Sequence, residues 1–97
     1  GVNNALVTQG VSTDDILAVG LGANEACKAW AAGVPSGFKS ALWVSGTAVG
    51  GTAAQVLYDN VVNGVELPAS SVADTPMLTP ENFADIVDPG FLETCSQ

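Results

Sequence analysis

Apolar residues fall in short blocks whose spacing changes along the chain. Val2, Leu6 and Val7 share one side of a helix over residues 1–9. Gly10 fits its C-terminal stop, and Ser12, Thr13, Asp14 and Asp15 make a polar turn. No capping residue precedes this helix, so the chain reads as starting within one. Ile16–Leu21 is continuously apolar (Ile-Leu-Ala-Val-Gly-Leu). The lack of alternation predicts a strand buried on both faces, as in a parallel sheet. A helix is expected over residues 24–32, stopped by Gly33 and Pro35. A second strand is expected over 38–44, with Trp43 at its carboxyl end.

The longest periodic segment spans residues 47–63. Val49, Ala53, Leu57 and Val61 recur every four residues, and Gly64 follows, the pattern of an amphipathic helix with a glycine stop. Residues 70–75 are expected as a last, edge-like strand. Thr79-Pro80-Glu81-Asn82 has the order of an N-cap, a first-turn proline and a first-turn acid. Asp88-Pro89-Gly90 starts a final short helix through Leu92. The predicted order, α-β-α-β-α-β-α, argues for an α/β layer with a parallel sheet.

Composition removes whole classes of function. The 97 residues carry 10 acidic side chains against two basic ones, Lys28 and Lys39, with no His and a net charge of −8. Nucleic acid is excluded as an expected partner, because neutralising phosphates needs clustered Lys and Arg. Hydrophobic residues make up 47% and charged residues 12%, too apolar for a disordered tail. No apolar run approaches the roughly 20 residues of a membrane span, and no basic-then-apolar leader opens the chain.

The candidate chemistry is that of binding. Gly20-Leu21-Gly22-Ala23-Asn24-Glu25 follows a strand and opens a helix, as a dinucleotide fingerprint does, but Glu25 stands where the third glycine belongs. The broader reading is a tight glycine turn at the carboxyl end of a strand, where open α/β sheets bind ligands. Gly46–Thr52 has the composition of a phosphate loop without its Lys-Ser/Thr ending. Without His, no Ser-His-Asp or Cys-His device exists in the chain. Asp14 and Asp15 read as solvated turn residues. No metal and no cofactor are expected, and no enzyme.

Trp43 has two readings. One is a core residue. The other is an aromatic face for an apolar sugar surface, with Ser45 and Thr47 supplying hydroxyls. Trp30 reads as packing. Cys27 and Cys95 are the only cysteines. They are either two unrelated buried thiols or one disulfide closing a loop of about 70 residues, which would contribute about 4 kcal/mol by the loop-entropy argument.

In order along the chain, Asp15–Asn24, Phe38–Trp43, Gly50–Gly64 and Leu67–Asn82 are similar to segments of type I periplasmic binding proteins. The rhamnose- and autoinducer-2-type binding proteins of sugar ABC transporters are the branch they resemble most. The resemblance spans nearly the whole chain. It implies an incomplete, Rossmann-like, parallel-sheet lobe from the C-terminal part of a two-lobed protein. Residues 1–64 would be α/β units of the lobe, and 65–97 the crossover segment and C-terminal tail. The signal peptide and the N-terminal part would lie outside this sequence.

The same resemblance implies a periplasmic protein that holds a sugar or related small polyol between its lobes and delivers it to a membrane permease. The cleft residues would be Asn24, Trp43, Ser45 and Thr47. Where the wider family has a sugar-binding Asp after this strand, the chain has Gly22. Where the rhamnose-like branch has Thr-Pro, it has Ala23-Asn24. The alternative is a ligand-sensing domain of a receptor or transcriptional regulator of the same fold. A lobe lacking strands would expose an unpaired sheet edge, so self-association is also expected.

Overall fold

The computed structural model describes all 97 residues, Gly1–Gln97. Five α-helices and three strands follow one another: α1 (Val2–Thr8), a 3-10 turn (Thr13–Asp15), β1 (Ala18–Leu21), α2 (Asn24–Ala31), β2 (Phe38–Leu42), α3 (Gly46–Asn63), β3 (Met77–Leu78), α4 (Phe83–Ile86) and α5 (Pro89–Cys95). The chain forms two units. One is Gly1–Trp43 with Pro76–Gln97; the other is Val44–Thr75.

In the first unit the strands form one sheet in the order β1-β2-β3. β1 and β2 are parallel, pairing Val19 with Ser40 and Leu21 with Leu42. β3 runs antiparallel to β2, pairing Ala41 with Leu78 and Leu42 with Met77. The sheet is therefore mixed rather than wholly parallel. The third strand also lies beyond the expected residues 70–75. That stretch has one bulky apolar side chain, Val72, which is exposed, so it has no face to bury. Sheet pairing begins only where Trp43 donates its N–H to the Pro76 carbonyl at 2.9 Å and Leu78 becomes fully buried.

β1 corrects a second expectation. Its residues alternate between half-buried and exposed, and Leu17, Val19 and Leu21 are 78%, 59% and 87% exposed. The core lies on one side of the sheet only. Ala41 and Leu78, paired across β2 and β3, pack with Ala26 and Cys27 of α2 and Cys95 of α5. Continuous apolarity does not distinguish a two-faced strand from a one-faced strand whose outer side chains are also apolar.

Local chemistry sets the element ends. α2 closes in a Schellman pair: Val34 N–H donates to the Ala29 carbonyl and Gly33 N–H to the Trp30 carbonyl, with Gly33 at φ 65°. Near residue 80 the capping differs from the expected Thr79 start. The Asn82 amide closes the turn instead, its Oδ1 accepting the Thr79 N–H at 2.7 Å and its Nδ2 donating to the Met77 carbonyl. Asp88 and Pro89 start α5 as expected, but the helix continues to Cys95, which is buried and bonded to Cys27.

In the second unit, Ser45 caps α3 and Gly64 ends it in the left-handed conformation. This helix buries none of its residues.

Candidate functional site

At the carboxyl end of β1 the chain turns sharply into α2. Gly22 takes φ 82° there, a conformation that costs a residue with a Cβ about 1–2 kcal/mol. Its N–H donates to the Leu42 carbonyl at 3.0 Å, which fixes the turn against the end of β2. The turn delivers Asn24 to the first helical residue of α2. Ala23 occupies the capping position, so no side chain accepts from the first-turn amides.

Asn24 is exposed. It lines a hollow of about 370 Å³ with Glu25, Cys27, Lys28, Thr94 and Gln97. Residues carrying two amides, a carboxylate, an ammonium group and a hydroxyl thus line one open hollow. The Thr94 hydroxyl donates to the Phe91 carbonyl at 2.6 Å, which leaves its oxygen able to accept. Both hydrogen-bond donors and acceptors are present, as a neutral polyhydroxyl ligand requires. The hollow is held by the disulfide, which joins α2 to α5 with the Cys27 and Cys95 Cα atoms 5.4 Å apart.

Trp43 is 7% exposed and packs on Phe91, with ring centroids 4.5 Å apart, so of its two readings the structure takes the core one. Ser45 and Thr47 belong to the second unit. The buried Ser45 is an N-cap whose oxygen accepts the Ala48 N–H at 3.2 Å, while Thr47 is exposed in the first turn of α3. Asn24 and Trp43 share a unit, yet Trp43 does not line Asn24's hollow.

Thr94 and Gln97 were missed by sequence reasoning. Their signal was the cysteine pairing itself: once Cys27 is bonded to Cys95, the residues flanking each are neighbours. Trp30 is a packing residue, its Nε1–H donating to the Phe38 carbonyl at 3.0 Å and its ring against Phe83. Lys39, one of two cationic side chains, spans the Thr13 and Ser36 carbonyls at 3.1 Å each.

A further concavity of this unit, about 510 Å³, lies between α1 and β1. Val2, Leu6, Val11, Leu17 and Val19 line it, and the Oδ1 of its Asn3 is already accepting the Gly37 N–H. That lining suits an apolar surface better than a polyol. Compared with family models, curated proteins and solved structures, the chain matches none.

Proposed function

We propose that this chain is part of a lobe of a solute-binding protein, of the type I periplasmic kind, that binds a sugar or related small polyol for delivery to a membrane permease. The observation that carries the reading is the turn at Gly22. It sets Asn24 at the carboxyl end of a strand in a parallel pair, where open α/β sheets take their ligands, beside a hollow of mixed donors and acceptors. The disulfide supports a protein made for an oxidising compartment such as the periplasm, since such bonds are rare in the cytosol.

Asn24 is the principal ligand-binding residue of this lobe, with Thr94 and Gln97 beside it. Its amide offers a donor pair and an acceptor to ring hydroxyls. Ser45 and Thr47, offered as hydroxyls beside Trp43, belong to the second unit and carry no part of this reading. The fold would be that of an incomplete Rossmann-like lobe, and binding would close it against the other lobe. No bond of the ligand is made or broken.

A thermal-shift panel of pentoses, deoxyhexoses, hexoses and sugar alcohols tests the reading. One sugar class should raise the melting temperature of the wild-type chain, and Asn24→Ala should lose most of that rise. A ligand present at about 100 times its dissociation constant adds about 2.7 kcal/mol, a readily measured shift. No response to any sugar would count against the proposal.

A further inference from the structure

With Asn24, Thr94 and Gln97 serving the hydroxyls of a polyol, two charged side chains of the same hollow are left over, Glu25 and Lys28. They stand three residues apart on α2, a spacing at which a glutamate and a lysine can pair. Here they do not, and neither side chain has an ion pair or a hydrogen bond. Both are exposed and open to a solute.

The surroundings decide which of the two charges prevails. Glu25 and Lys28 cancel one another within the hollow. The opposite wall belongs to α5, which carries Glu93 next to Thr94 and no basic residue. All acidic side chains but Asp59, Glu66 and Asp74 lie in this unit with both lysines, so seven acids stand against two cations. The second cation, Lys39, is held by the Thr13 and Ser36 carbonyls at 3.1 Å each. An anionic solute would enter against this field, and a cationic one is drawn along it.

The hydrogen-bonding groups agree with that sign. The Thr94 hydroxyl spends its proton on the Phe91 carbonyl, and an ionised Glu25 carboxylate has only acceptors. The side-chain oxygens of Asn24 and Gln97 accept as well. An ammonium group has three donors and no acceptor, the complement of such a set. The Lys28 ammonium, one helical turn from Asn24, and the amide N–H groups are left for ring oxygens.

We infer that the solute of this hollow is an amino sugar, or a polyol of like size with one ammonium group, and that Glu25 selects it. The inference rests on the sugar-binding reading of Asn24 and adds the charge of the ligand to it. An exposed ion pair is weak, so the preference over the neutral sugar is about two- to fivefold in dissociation constant. It falls as salt screens the pair.

Titration calorimetry of the wild-type chain with matched sugars, in slightly acidic buffer, tests this. The pairs are glucosamine against glucose and galactosamine against galactose, each with its N-acetyl form, which keeps the substituent and loses the charge. The amines should bind more tightly than their parents and the N-acetyl forms no more tightly, with the difference shrinking at high salt. Glu25→Gln should bring the ratio of the two constants to one, whatever it does to either alone, and Glu25→Asp should keep part of the preference. Lys28→Gln should enlarge it. Equal binding of amine and parent, tighter binding of gluconate, or a preference that survives Glu25→Gln would overturn the inference and leave the sugar reading in place. No response to any of these sugars would overturn both.

Discussion

Trp43 and Phe91 pack with their ring planes inclined at 54° and their centroids 4.5 Å apart. The contact joins the end of β2 to α5, and both residues belong to or border the core that also holds Leu78 and Phe83. The position that made Trp43 attractive as a stacking platform, just past the carboxyl end of a strand, is here the place where α5 folds back on the sheet.

Trp43→Ala is therefore expected to act on stability. Removing a buried tryptophan costs about 3–5 kcal/mol. The midpoint of urea unfolding should fall sharply, and Trp43→Phe should recover part of the loss. A variant of unchanged stability would mean that the ring is not a core element.

Reducing the Cys27–Cys95 bond should cost about 2–5 kcal/mol. The bond spans 68 residues of sequence and is buried at both ends, so reduction or a double Ser substitution should also disperse Thr94 and Gln97 from Asn24. Thermal melts with and without reductant measure the first effect. Loss of sugar response in the reduced but still folded chain measures the second. Equal melting temperatures in both conditions would contradict the account.

Gly37 is expected to reject any side chain. A Cβ there would come 2.7 Å from the Ile16 Cβ and 2.5 Å from the Asn3 Oδ1, and both neighbours are held: Ile16 is buried and Asn3 accepts the Gly37 N–H at 2.9 Å. Gly37→Ala should destabilise the first unit by about 1–3 kcal/mol through overpacking. Asn3→Ala, which leaves that N–H without its acceptor, should cost about 1–3 kcal/mol. Denaturant titration of both variants checks the pair, and a neutral Gly37→Ala would show that Asn3 of α1 and Ile16 are not held against Gly37.

Much of the local structure was legible in the sequence because its signals are local. Gly10, Gly33 and Gly64 end α1, α2 and α3, and Asp88-Pro89 starts α5. What was not legible depended on which faces meet. Ile16–Leu21 reads the same whether one or both faces are covered. The third strand lay past its expected place because Leu78, not Val72, meets the core. Trp43 could be classed only once Phe91, 48 positions along the sequence, was known to lie on it. The hollow around Asn24 likewise depends on a partner segment, residues 94–97, brought there by a bond that counting cysteines left open.

Asn24→Ala separates polyol binding from effects on folding. As an exposed substitution, it should change stability by no more than about 0.5 kcal/mol while weakening any sugar response. The most direct measurement is an amide chemical-shift titration of the wild-type chain with the sugar that stabilises it. The account predicts saturable shifts centred on residues 22–28 and 94–97, absent in Asn24→Ala. Shifts confined to the groove between α1 and β1, or no saturable shifts at all, would contradict it.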